Sequence, residues 1–266
     1  MKNFQQLLDQ LSQTIDNLAS DEAWIKYLKM QQLFYNYSFH NTLLILNQCP
    51  EATRVAGYHT WKNLGRKIKQ GEKPIWIKAP MKFKDKYDNE RVLFRFVPVF
   101  DISQTEGKEL FEIVKKLDQP SDQSVLNILK KIANKSGFQV IFMPLADFLN
   151  GDCSHQNKII RINSLNSTSQ QIKTLLHEIT HALAHFNYTN RRVAEIEAES
   201  VAYIICSHLG IDSTCYSSGY LLTWGTKPDI TKDLIKASCK QIQKISSFLI
   251  GEIQSHYQNH PKDKVA

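Results

Sequence analysis

Between Thr174 and Leu183 the chain reads TLLHEITHAL, and this stretch constrains the fold more than any other. Histidines four residues apart project from one face of a helix, so His177 and His181 can aim two imidazoles at one point. Glu178 follows the first histidine, where a carboxylate can take a proton from an attacking water and pass it to a leaving amine. Zinc suits this pair of imidazoles best. The flanking Thr174, Leu175, Leu176, Ile179, Thr180, Ala182 and Leu183 carry no charge, and no Pro or Gly interrupts them. That pattern predicts a helix packed beneath a cleft, because a solvated helix would carry Lys or Glu among them.

Two histidines leave a hydrolytic zinc site one protein ligand short. The next segment, RRVAEIEAESVAYIIC from Arg191 to Cys206, reads as a second helix with Ala194, Ala198, Ala202 and Ile205 on a side able to approach the first closely. At about 100° per residue, Glu195 and Glu199 share a face while Glu197 points away from both. Glu195 is therefore the expected third ligand, and Glu199 the carboxylate that fixes the tautomer of a ligating histidine. Glu197 is expected on a solvated face. His185 lies about 12 Å along the helix axis from His177, too far to share its ion, and is expected to be packed or hydrogen-bonded. His40, His59, His155, His208, His256 and His260 have no ligand-like spacing.

The net charge of +7 is unevenly placed. Residues 51–100 hold twelve basic and five acidic side chains, so the whole excess lies in this window. Tyr58, Trp61, Trp76, Phe83, Tyr87, Phe94, Phe96 and Phe100 are threaded through it. Cations for phosphates, interleaved with rings for unpaired bases, suit a single-stranded nucleic acid. Trp61, Arg66, Lys67, Lys69, Lys73, Trp76 and Lys78 are the candidate contacts. A half-buried sheet with aromatics inside and lysines outside gives the same alternation, and Trp61 and Trp76 fit a core equally well.

Apolar spacing predicts helices over 3–19, 21–36 and 38–48, the third ended by Pro50. Short strands follow around 54–56, 74–84 and 91–102, with a turn at KYDNE and a short helix closed by Gly65 between the first two. DQPSDQS, residues 118–124, is the expected linker. Beyond it come a helix over 125–135, strands over 138–143 and 158–163, the two helices already described, and a final helix over about 230–257. The order is that of a minimal zincin domain. The expected fold class is α+β, with an amino-terminal domain over 1–118, helical with an antiparallel sheet, and a second domain over 125–266. No apolar run reaches bilayer length, the start lacks the pattern of a signal peptide, and five scattered cysteines without C-x-x-C spacing suit reduced thiols. A cytoplasmic protein without a membrane partner is the expectation.

SFHNTLLILNQCPEATRVAGYHTWKNLGRKIKQGEKPIWIKAP and VFDISQTEG in the first half, and HEITHAL, AEIEAESVAYIIC and LGIDSTCYSSGYLLTWG in the second, resemble the ArdC-type antirestriction proteins of plasmids and other mobile elements. The resemblance covers nearly the whole chain. It implies an amino-terminal domain that binds single-stranded DNA and a carboxy-terminal, zincin-like metallopeptidase domain. It places zinc on His177, His181 and Glu195 and the catalytic role on Glu178. The spacing of Glu195 and Glu199 is similar to the E-x-x-x-D or E-x-x-x-N of related zinc peptidases, with Glu199 in place of the usual Asp or Asn. Tyr203, Tyr216 and Tyr220 are oxyanion candidates by their nearness in sequence to the Glu helix. Two other readings stay open: a non-enzymatic protein that shields DNA and uses a structural metal, and a regulatory zinc protease that cleaves a repressor.

Overall fold

Apolar residues at helical spacing build three helices at the start of the chain, α1 (Phe4–Asn17), α2 (Asp21–Leu33) and α3 (Phe39–Gln48). Ser20 and Ser38 cap α2 and α3 by accepting from the amides of Ala23 and Asn41, satisfying donors that a helix start leaves unpaired. The computed structural model describes residues 4–84, 86, 88–109, 122–211 and 231–259. The protein is α+β.

After α3 the chain enters a three-stranded antiparallel sheet of order β1-β4-β3, made by β1 (Val55–Ala56), β3 (Ile75–Lys84) and β4 (Glu90–Asp101). α4 (Tyr58–Asn63) precedes a small ladder of β2 (Arg66–Ile68) and β5 (Thr105–Gly107). β3 is an edge strand. α3 covers that edge with side-chain amides: Asn41 exchanges 2.8 Å hydrogen bonds with the backbone N–H and C=O of Lys78, and Gln48 does the same for Trp76 at 3.0 and 2.9 Å. The edge is thereby closed to strand pairing near its base. At the end of β4, the buried Asp101 accepts from the amides of Thr53, Arg54 and Ser103 at 2.8–2.9 Å.

The second half contains α5 (Asp122–Lys135), a mixed sheet of order β6-β8-β7, then α6 (Thr168–Ala184), α7 (Arg191–Leu209) and α8 (Lys232–Asn259). β6 (Gln139–Met143) runs parallel to the central β8 (Ile159–Asn163), and β7 (Gly151–Ser154) runs antiparallel to it. α6 crosses β7 so closely that a Cβ on Gly151 would lie 2.7 Å from both Arg161 O and Thr174 Cγ2. Glycine is therefore required there.

The larger core joins both halves. Leu7, Leu11, Tyr27, Leu28, Phe39 and Leu43 of α1–α3 share one buried cluster with Leu129, Ile160, Leu175, Val201, Ile242 and Leu249. A smaller cluster of Met30, Phe34, Ile45, Val55, Ile75, Ile77 and Val99 lies between the first helices and the β3–β4 sheet. The expected boundary at 118–125 is thus crossed by the main core. Residues 122–124 of the expected linker form the first turn of α5, and 119–121 lie outside the described residues. β2, β5 and β7 were not expected: each is three or four residues long, too short to display a period. No helix among the described residues is long and apolar enough to cross a membrane.

Candidate metal centre and nucleic-acid surface

Ser167 caps α6 through the amide of Gln170, and α6 then buries Ile172, Leu175, Leu176 and Ile179. This leaves His177, Glu178 and His181 at the rim of a cleft of about 860 Å³. Asn190 caps α7, and Ala194, Ala198 and Ala202 are buried, as the tight approach of α7 to α6 requires. Glu195 and Glu199 face the cleft.

Three groups converge. His177 Nε2 lies 3.0 Å from His181 Nε2 and 3.2 Å from Glu195 Oε2, and His181 Nε2 lies 3.7 Å from Glu195 Oε1. A tetrahedral ion with bonds of about 2.0–2.1 Å separates its ligand atoms by about 3.3 Å, so two imidazoles and one carboxylate stand at the spacing such an ion requires. Glu199 accepts from the other nitrogen of His177, Nδ1, at 3.2 Å, and its second oxygen takes Lys173 Nζ at 3.0 Å.

Charges in the cleft are strongly coupled. Burial alone would lower the His177 pKa, but hydrogen bonds to Glu195 and Glu199 carry it up to about 9. Burial pushes Glu178 up to about 7, with Glu195 and Asp152 adding repulsion and His177 opposing. Glu195 is held well below the usual carboxylate range by hydrogen bonds to His177 and His181. Burial would raise Glu199, yet its contacts with His177 and Lys173 bring it below its ordinary value. Cys153, also in the cleft, is pushed up to about 12 by burial and by the Glu178 and Asp152 carboxylates, so it keeps its proton at neutral pH.

Two expectations on α6 and α7 fare differently. His185 is packed and hydrogen-bonded as expected, 8% exposed. Glu197 is not solvated: its exposure is 0%, and it accepts from His185 Nε2 at 3.0 Å and Tyr188 Oη at 2.9 Å. The helical wheel places Glu197 opposite Glu195 correctly, but that opposite face is covered by neighbouring elements. His155, Lys173, Tyr188 and Arg191 also line the cleft. His155 Nε2 meets the carbonyl of His181 at 2.9 Å. His155 and Tyr188 arrive from loops and Arg191 from a helix start, so none of these three had a spacing signal, whereas Lys173 stands one turn before His177 on the same face of α6. Tyr203 packs against the core rather than lining the cleft, while Tyr216 and Tyr220 lie outside the described residues.

The basic window divides. Trp61 is fully buried and donates to Phe100 O at 2.9 Å, so its ring has no face for a base; the core reading of Trp61 holds. Trp76 is half-buried with Phe4 edge-on at 5.2 Å. Arg66 spends its guanidinium on Thr105 and on Lys108 O at 2.6–2.9 Å, clamping β2 to β5. Lys67 pairs with Glu106 at 3.0 Å, and Lys69 donates to Ser103 O at 2.7 Å. Lys73 is exposed, and Lys78 lies over the Phe96 ring at 5.6 Å. Besides Tyr58 at the start of α4, exposed rings lie farther along the β3–β4 hairpin, where Pro80 opposes Phe94, Lys82 opposes Val92 and Phe83 opposes Arg91. Phe83 is 45% and Phe94 64% exposed.

Residues 2–118 match the family model described as the N-terminal domain of anti-restriction factor ArdC, and residues 133–206 match the IrrE N-terminal-like domain. A metal-free crystal structure of the antirestriction protein ArdC from plasmid R388 is 18% identical, covers 81% of this chain and 85% of its own, and superposes with a TM-score of 0.51. A Mn(II)-bound structure of the same protein is 16% identical, with coverages of 85% and 97% and a TM-score of 0.49. An uncharacterized protein of Bacillus anthracis is 22% identical over 93% of this chain. The chain spans 52% of that relative's length and 10% of an uncharacterized WD repeat-containing protein of Nostoc that also matches. The chain has the two-domain architecture of ArdC-type antirestriction proteins.

Proposed function

We propose that this chain, with its ArdC-type architecture, acts against restriction as a protein that binds single-stranded DNA and carries a zinc-dependent peptidase site. The observation that carries the peptidase reading is the convergence of His177 Nε2, His181 Nε2 and a Glu195 oxygen at 3.0–3.7 Å, with Glu178 beside them in the cleft. His177, His181 and Glu195 would hold the ion. When bound, zinc supplies a Lewis acid for the scissile carbonyl and lowers the pKa of a water toward about 7. Glu178 takes a proton from the attacking water on its carboxylate and delivers it to the leaving amine. Its pKa of about 7 before metal binding suits a group that must both accept and donate. Glu199 keeps the His177 proton on Nδ1 and leaves Nε2 free to ligate.

A protein substrate has a place to lie. Among the described residues β7 pairs with β8 alone, and its other edge borders the cleft along Gly151, Asp152 and Cys153. An extended peptide adding to that edge would bring a peptide bond past Glu178. For DNA, the exposed rings and cations of the β3–β4 hairpin support stacking together with phosphate contact. Residues 1–118 would serve the DNA function and 125–266 the peptidase function, although they share a core.

The test is Glu178→Ala in full-length protein. Hydrolysis of a protein bound to single-stranded DNA should be lost, while zinc content and DNA affinity stay at the wild-type level. A variant that still cleaves removes Glu178 as base. Undiminished antirestriction activity in that variant would instead favour a DNA-shielding protein with a structural metal.

A further inference from the structure

Glu197 is the most deeply buried carboxylate beside the cleft, and the peptidase mechanism does not use it. Full burial of an ionised carboxylate is costly unless it is compensated, and two side chains compensate this one. His185 Nε2 lies 3.0 Å from Glu197 Oε2 and Tyr188 donates to Oε1 at 2.9 Å. The other nitrogen of His185, Nδ1, lies 2.8 Å from His181 Nδ1. Two ring nitrogens at that distance form a hydrogen bond only if one carries a proton and the other a lone pair.

The direction of this chain follows from one condition. His181 offers a lone pair at Nε2 only when its proton is on Nδ1. It then donates to His185 Nδ1, which must be the acceptor. His185 in turn carries its proton on Nε2 and donates to Glu197. Any group that let His185 move its proton to Nδ1 would set two N–H groups against each other and push the His181 proton onto Nε2, the ligating atom.

We propose that His185, Glu197 and Tyr188 form a positioning relay that fixes the tautomer and orientation of His181 for metal binding, as Glu199 does for His177. The two ligating imidazoles are thus held by separate carboxylates. Glu199 acts directly on His177, and Glu197 acts on His181 through a second histidine. The inference rests on the metal-site reading of the same cleft. It assigns Glu197, His185 and Tyr188 no contact with substrate or ion.

The experiment compares zinc affinity, by competition with a chromophoric chelator, in full-length wild type, Glu197→Leu and Glu197→Gln. Glu197→Leu removes the acceptor and should weaken zinc binding about 10–100-fold. Glu197→Gln keeps an oxygen to receive His185 and should recover much of that loss, a rescue that a purely steric role would not require. Long-range proton–nitrogen NMR of the zinc-loaded wild type should place the His185 proton on Nε2 and the His181 proton on Nδ1, which decides the matter even if the leucine variant does not fold. A His185 proton on Nδ1, or a folded leucine variant that binds zinc as wild type does, overturns the relay. Wild-type protein that fails to bind zinc overturns the metal reading as well, and no variant is needed to see it.

Discussion

His177 shows how a single residue records the competition between a proton and a metal. Glu195 and Glu199 carry its imidazole from 6.5 up to about 9, so a zinc ion held there as proposed would have to displace a proton at neutral pH. Zinc affinity should therefore rise by about tenfold per pH unit for one displaced proton between pH 6.5 and 9, and flatten above; chelator competition across that range checks it. Asp101 makes the opposite case of a carboxylate that serves structure. Burial would raise its pKa, but hydrogen bonds from Ser103, Arg54 and Thr53 outweigh that and lower it. A lowered folded-state value gives stability that is present above the ordinary carboxylate range and lost as pH falls through the folded value. Asp101→Ala leaves three amides short of an acceptor and should cost about 1–3 kcal/mol, measurable by urea unfolding at neutral pH with a smaller difference in acid. VFDISQTEG is legible in the sequence as a point of resemblance, but the loop closure that Asp101 makes within it is displayed only by the folded backbone.

Among the elements, the β3–β4 hairpin and β7 carry the proposed DNA and peptide surfaces. The hairpin alternates as the sequence does, with Lys78, Lys82 and Lys84 on the face that also carries Trp76, Phe94 and Phe96. Near its base the rings are covered by α1 and α3, and toward its tip they are exposed. Of the candidate contacts read from the sequence, Trp76 and Lys78 lie on this hairpin, both near its base. Replacing Lys82 and Lys84, both exposed on that face, with Glu should weaken single-stranded DNA binding and lower the salt slope by about 1.4, at about 0.7 per phosphate contact. Anisotropy titrations at several salt concentrations measure this, and an unchanged slope would move the DNA surface elsewhere. β7 was invisible in the sequence because GDCS offers four residues and no alternation, yet it forms one wall of the cleft.

At the scale of the whole molecule, the two proposed functional segments share the main core, and the first adds the smaller cluster beneath the β3–β4 sheet. α1–α3 cover apolar faces of α7 and α8, with Tyr27 donating to Cys239 O at 3.4 Å and Lys232 pairing with Asp16 at 2.6 Å. A chain cut to residues 122–266 should lose its cooperative melting transition or aggregate, because it would expose Val201, Ile242 and their neighbours; calorimetry of that fragment against the full chain tests this. The sequence by itself determined the local quantities. Periodicity gave the helices, the i, i+4 spacing of His177 and His181 and of Glu195 and Glu199 put each pair on one face, and serine caps marked helix starts. Those depend on backbone geometry that each segment carries within itself. Tertiary structure alone decided which faces meet. It buried Glu197 against His185, enclosed Trp61, tied Arg66 to Thr105 and laid α8 against α1 and α7 against α2, because burial depends on partners 12, 39 or 212 residues away that no local period encodes.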